Sequence, residues 1–454
     1  MRTRFTWIVA VLALVAVGFL MACSTKYKSS SNGLVVVPSQ GSAVMQTFSL
    51  NLSNGHVSQI NNSAGPSTPG LPGAVILDPA GAFAYVATTV DCTPTLGPNT
   101  SLTAVQGAIV TYKIDSDGKL AAGSTQFLQG NPAYPSTFPT CGLDDTTNPN
   151  AGSPAAAMAI DSAGKFLFVA IASGGATYTT NLDTVPISTV ATLDSVGIEV
   201  FAIGANATLT EVAGSPFALP GEAGGGGSPT PSALAVTPTA FPIEFATCSG
   251  HSAPSTENLY VADSVNNALL NYTVSSAGVL MLVPASAGSP GVLTGTLPSG
   301  IAVDSCGQFA YVANGTSNSV SAFTICTAVS QNCLQGDYSL RPVAGSPYPA
   351  GDKPGPIAID PFAKYVYVVD QGSSQVSGFR ISPSNGSLTT IAGTPVPTNS
   401  GPNSIAIRSD GSWIFVANLN SANVSQYAIT QASGSLTSEA PFTTSNLPTG
   451  VAVK

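Results

Sequence analysis

Charge is the scarcest commodity in this 454-residue chain, where Asp, Glu, Lys and Arg together make up 8%, against roughly a quarter of an average soluble domain. Bases are rarest. Thirteen Lys and Arg, with no basic cluster beyond the N-terminus, cannot neutralise a track of phosphates, so nucleic acid is excluded as a partner. The only histidines are His56 and His251, and no two cysteines stand in a Cys-x-x-Cys pair. A structural zinc site therefore has no ligand pattern, and neither a metal nor a cofactor is expected. Helical periodicity is missing after residue 22, which excludes a helix-built domain. The net charge of −9 is spread thinly and reads as solubility.

What the chain has instead is glycine (46), proline (35) and a 44% hydrophobic content, the composition of short strands joined by many turns. Its beginning is different. Arg2 and Arg4 precede an apolar stretch, Trp7 to Ala22, too short to span a bilayer comfortably. The stretch ends in Leu20-Met21-Ala22-Cys23, which resembles a bacterial lipobox. That resemblance implies a signal peptide over 1–22, lipidation of Cys23, a flexible tether over 23–32 and a folded unit over 33–454. It also implies export and a membrane partner through the lipid anchor. Ser24 after the cysteine points by analogy to the outer membrane.

Six cysteines remain after Cys23, an even number in an exported chain, so disulfides are expected. The pairing expected from their loops is Cys92–Cys141, Cys248–Cys306 and Cys326–Cys333. Each would close an insertion with little core of its own.

A self-similar unit recurs through residues 33–454: a short apolar strand ending in Asp, a turn, then an aromatic-rich strand of the Tyr-Val-Ala type. Examples are Ile301-Ala302-Val303-Asp304 leading to Phe309-Ala310-Tyr311-Val312-Ala313, and Ile357-Ala358-Ile359-Asp360 leading to Tyr365-Val366-Tyr367-Val368-Val369. An alternating third strand, a glycine-containing turn and a fourth strand follow. Several units close with Ala-Gly-Ser-Pro or a variant, at 213–216, 287–290, 344–347 and 392–395. Four antiparallel strands per unit predict the blades of an all-β propeller. Six units are complete. Three N-terminal strands and the C-terminal strand Gly450-Val451-Ala452-Val453 complete a seventh, closing the ring between the two ends of the chain. The early units carry insertions, at 88–107, 130–153, 174–196 and 238–257, with a shorter one at 326–340.

These repeats resemble the lactonase-like, Tyr-Val-Thr-Asn-type seven-bladed propellers over nearly all of 33–454. The resemblance implies a lactone hydrolase of the 6-phosphogluconolactonase kind, with His or Arg just ahead of an inner strand and Glu after the Tyr-Val strand. The first position instead reads Gly401-Pro402-Asn403-Ser404, Lys353-Pro354-Gly355-Pro356 and Leu297-Pro298-Ser299-Gly300. The second reads Asn418-Leu419, Asn314-Gly315, Asp370-Gln371 and Asp263-Ser264. Lactone hydrolysis needs a base for water and a group that polarises the carbonyl, and neither position supplies one.

The expected function is therefore a cell-envelope binding module acting through its loop-rich face, for a glycan, protein or small molecule. A lactonase with an atypical site and a passive envelope scaffold are the alternatives. The candidate binding residues sit on the insertions: Tyr134, Phe138, Asp144, Asp145, Tyr178 and Asp183. His56 and His251 are expected as exposed loop residues, and Asp115-Ser116-Asp117-Gly118 as a hairpin turn in place of a calcium loop. The strand-end residues Asp78, Asp161, Asp304 and Asp360 are expected to bond to turn amides.

Overall fold

The computed structural model describes residues 32–60, 65–91, 105–128, 155–171, 196–221, 229–238, 256–285, 289–327, 333 and 338–454. Seven antiparallel sheets form the blades of a ring. Counting strands from the central channel outwards, blade 1 has Ala452–Val453 as its first strand, then Asn32–Ser39, Val44–Asn51 and Val57–Gln59. The first strands of blades 2 to 7 are Leu71–Leu77, Ala155–Ile160, Pro231–Val236, Pro298–Val303, Pro354–Ile359 and Pro402–Ile407.

The two chain ends pair antiparallel, Val35 opposite Val453 and Val36 opposite Ala452. Leu34 and Lys454 exchange backbone hydrogen bonds, with the Lys454 amide 2.9 Å from the Leu34 carbonyl. This is the closure that the sequence predicts, and the first described strand begins at Asn32.

There is no single core. Seven apolar clusters each fill the seam between two adjacent blades; Phe309, Tyr311 and Val320 of blade 5, for example, pack with Val366, Val368 and Phe379 of blade 6. A second strand is covered on both faces by such seams. That is why every residue of Phe166–Ile171, Phe309–Asn314, Tyr365–Asp370 and Trp413–Asn418 is buried and why these strands read as unbroken apolar runs.

Four of the seams also carry a lock. The aromatic residue opening a second strand lies over the glycine in the third-to-fourth-strand turn of the next blade. Phe309 covers Gly386 and Tyr365 covers Gly434, both glycines at positive φ (72° and 76°), and a Cβ at Gly434 would stand 2.5 Å from the Tyr365 ring. Phe166 over Gly278 and Trp413 over Gly55 repeat the arrangement. The Tyr311 and Tyr367 hydroxyls then donate to the carbonyls of Gly386 (2.9 Å) and Gly434 (2.8 Å). Blade 7 has Phe415 at that tyrosine position, and Gln426 donates to the Gly55 carbonyl instead.

The Ala-Gly-Ser-Pro motif interrupts the outermost strand. In blades 3 to 6 a short piece, such as Phe217–Ala218 or Tyr348–Pro349, continues along the third strand after the turn. The third-strand amide left over at the break is taken by the motif's hydroxyl: Val200 donates to Ser215 Oγ at 3.0 Å and Ala322 to Ser346 Oγ at 2.8 Å. In the 88–107 insertion, residues at both edges are strand, since Phe83–Asp91 and Val105–Ile114 pair through to Asp91 opposite Val105.

Cys326 and Cys333 form a disulfide with Cα atoms 5.3 Å apart, stapling the extended third-to-fourth connection of blade 5. Cys306 is disulfide-bonded; its expected partner Cys248, and the expected pair Cys92–Cys141, lie outside the described residues.

Deleting Leu447–Lys454 removes the first strand of blade 1 and exposes an apolar edge, which should lower unfolding free energy by several kcal/mol. Denaturant unfolding checks this; an unchanged midpoint would contradict ring closure by the two ends.

Candidate functional site

First strands run from the upper face to the lower one and second strands return. Second-to-third and blade-to-blade connections therefore share the upper face, and first-to-second and third-to-fourth turns the lower. The upper mouth of the channel is built where the first strands begin, most of them with a proline. Proline has no N–H to leave unpaired there, and the ladder irregularity that follows it places a polar side chain beside the channel.

Those side chains bond round the ring to the proline carbonyl of the next blade. Ser232 Oγ donates to Pro298 (2.6 Å), Ser299 Oγ to Pro354 (2.7 Å) and Gln371 Nε2 to Pro402 (3.2 Å). Asn403 Nδ2 donates to Pro448 (3.3 Å) and Thr449 Oγ1 to Pro72 (2.9 Å). Among the described residues these bonds form an arc of neutral hydroxyls and amides from blade 4 round to blade 1. Asn403 Oδ1, buried, has no hydrogen-bond partner in the structure.

The residues ending the second strands sit just behind this arc and are buried. Asn314 accepts from the Gly295 amide at 3.1 Å and donates to Ser321 Oγ at 3.0 Å. Asn418 accepts from Thr398 and donates to Ser425. Asp263 accepts from the Thr230 amide and from Asn266, and Asp370 from Ser377 Oγ (2.6 Å) and the Gly351 amide. Burial pushes the Asp370 carboxyl up to about 6, against these hydrogen bonds. Each of the four ties a blade-to-blade loop or upper turn in place. Of the described bases only Lys353 lies on this face, exposed beside exposed Asp352.

On the lower face the strand-end carboxylates hold turns, as expected. Asp304 Oδ1 accepts from the amides of Gln308 (2.6 Å) and Phe309 (2.9 Å), and Asp360 Oδ1 from Lys364 and Tyr365. Asp78 and Asp161 do the same in blades 2 and 3. Asp115 caps its own hairpin by accepting from the amides of Asp117 and Lys119, both at 2.8 Å, so this segment acts as a turn. His56 is an exposed turn residue.

Sequence reasoning missed Glu257, which opens the second strand of blade 4. Burial, then the nearby Asp161 carboxylate of blade 3, push it up to about 7, with Lys165 opposing. A carboxylate in a turn position gives no sequence signal of this; the seam between blades creates it. Tyr134, Phe138, Asp144, Asp145, Tyr178 and Asp183 lie outside the described residues, as do Cys23 and His251.

The fold is that of a seven-bladed β-propeller. Residues 301–454, blades 5 to 7 with the closing strand, match the family model described as lactonase, 7-bladed beta-propeller. No curated protein sequence matches the chain. In structure it is similar to the periplasmic gluconolactonase PpgL of Pseudomonas aeruginosa, with 16% identity over 93% of this chain and 98% of that one and a TM-score of 0.60. A proposed 6-phosphogluconolactonase of Bacteroides fragilis gives 16% identity, coverage of 94% and 99%, and a TM-score of 0.63. A protein of Lactobacillus plantarum gives 16%, 93% and 99%, and 0.60. At such identity the likeness establishes the fold, and function rests on the site.

The Glu257 carboxyl titrates at about 7 when folded, above its ordinary 4.5. Between those values the folded chain binds more proton than the unfolded one, so this group makes stability fall as pH rises through the window and leaves it level above. Glu257→Gln should remove that part of the decline, so that the variant gains on the parent between pH 4.5 and 7. Parallel stability–pH curves from denaturant unfolding would contradict the assignment.

Proposed function

We propose that the chain is an exported, lipid-anchored propeller whose upper mouth binds a neutral, polyhydroxylated ligand such as a sugar, a glycan end or a sugar lactone. The observation that carries this reading is the run of neutral hydroxyls and amides at the mouth, Ser232, Ser299, Gln371, Asn403 and Thr449. Hydroxyls and amides of this kind exchange hydrogen bonds with sugar hydroxyls. A phosphorylated sugar would need cations, and the described upper face offers Lys353 alone, next to Asp352. The Cys23 lipobox supports the anchor, and Ser24 the outer membrane.

Lactone hydrolysis is the second reading, favoured by the family-model match over 301–454 and the gluconolactonase likeness. It would draw its base from Asp144, Asp145 or Asp183 on the expected binding insertions, since the described carboxylates behind the mouth are held by turns and loops.

Calorimetry against gluconolactone, neutral sugars and their 6-phospho forms separates these possibilities. Neutral ligands are expected to bind more tightly than phosphorylated ones, and Asn403→Ala should weaken binding about fivefold, the loss of one net hydrogen bond. Preference for the phosphorylated form would overturn the binding proposal. Turnover of the lactone that vanishes in Asp144→Asn, Asp145→Asn or Asp183→Asn would establish the second reading.

A further inference from the structure

The rare bases of this chain are sorted by face. Lys165 and Lys364 stand in first-to-second-strand turns, Lys119 in a third-to-fourth turn, and Lys113 and Arg380 at the lower ends of third strands. Arg341 opens a fourth strand at the same level, and Lys454 ends the first strand of blade 1. All are exposed on the lower face. Arg408, half-buried there, is paired with Asp410. The exposed acids facing them are fewer: Asp115, Asp117 and Asp410. The remaining lower-face Asp residues point into turns, their Oδ1 atoms occupied by backbone amides. Glu257 is half-buried in the seam between blades 3 and 4.

Topology adds an independent fact. Asn32 begins the second strand of blade 1, and second strands run from the lower face upwards, so the first described strand starts on the face that carries the exposed bases. The nine residue steps from Cys23 to Asn32 can span at most about 30 Å when fully extended, and the sequence between them contains Lys26 and Lys28.

We propose that the lower face is a docking surface for anionic phospholipid headgroups, seating the propeller on its membrane with the ligand mouth turned outwards. The surface chemistry stands on the placement of the bases; the membrane as occupant rests on the anchoring read from Cys23. Surface-bound lysines and arginines attract an anionic bilayer additively, and one lipid anchor gains in hold from such a second signal.

The test uses the full chain with vesicles of phosphatidylcholine, with and without phosphatidylglycerol, and a membrane-impermeant amine reagent read by peptide mass. On anionic vesicles at low salt, Lys113, Lys119, Lys165 and Lys364 should label several-fold less than on neutral ones, while Lys353 on the upper face is unchanged. High salt should abolish the difference. Lys113→Ser and Lys364→Ser should each weaken phosphatidylglycerol-dependent partition about fivefold, and Lys353→Ser should not. Equal lysine labelling on the two vesicles, or protection of Lys353 with the rest, would overturn the proposal. Retention on neutral vesicles reads the anchor separately, so failure of the anchor is distinguishable from failure of the face.

Discussion

The ring depends on its seams, and four of them share one contact, an aromatic ring of one blade seated on the hairpin-turn glycine of the next. Blades share no common core, so seam clusters and these locks are what convert seven weak sheets into one unit. A four-stranded sheet alone would leave its inner strands exposed on both faces. The exceptions follow the same logic. Blade 5 replaces its glycine turn with a disulfide-stapled connection, and blade 4 correspondingly replaces the aromatic with Asn258. That side chain donates to Asn271 (2.8 Å), which donates to the Tyr338 carbonyl of blade 5 (2.8 Å). At the seam of blades 1 and 2 the turn glycine, Gly118, lies against Leu34 in place of a ring. In blade 3 the turn carries Ala207, at φ 57° and buried in the seam with Tyr85, a small residue taking the left-handed position.

The same economy shapes the mouth. Hydrophobic seams hold the blades laterally, and the polar groups at the channel opening tie one first strand to the next. A propeller built this way has a rigid, neutral, hydrogen-bonding opening and few ionisable groups to spare. The two faces diverge as a result: the upper carries neutral acceptors and buried carboxylates, the lower nearly all the described bases.

Much of the architecture was legible in the sequence because it is local and repeated. The Tyr-Val-Ala strands, the glycine turns and the shared seventh blade are periodic signals, and the turn role of Asp304 or Asp115 follows from the amides four residues away. What escaped was long-range. The Ser299 to Pro354 bond and the Tyr311 to Gly386 bond join residues 55 and 75 positions apart, and no pattern within one repeat announces them. The Ala-Gly-Ser-Pro motif was read as a unit ending, whereas its hydroxyl repairs a break in the outermost strand. Glu257 owes its raised pKa to burial first, then to Asp161 of the neighbouring blade. The aromatic and acidic residues chosen for recognition, from Tyr134 to Asp183, belong to insertions that do not share the repeat, where periodicity carries no information.

Blade 6 contains the most direct control for the lock. Gly386 and Gly393 both have positive φ, 72° and 86°, so alanine strains the backbone similarly at each. A Cβ at Gly386 would be driven into the Phe309 ring, whereas at Gly393 it would meet nothing within 4 Å. The unfolding free energies of Gly386→Ala and Gly393→Ala, measured side by side, therefore isolate the contact. The account predicts that Gly386→Ala loses at least about 1 kcal/mol more than Gly393→Ala, the cost of overpacking a seam. Equal losses would mean that the aromatic-on-glycine contact does not hold the ring.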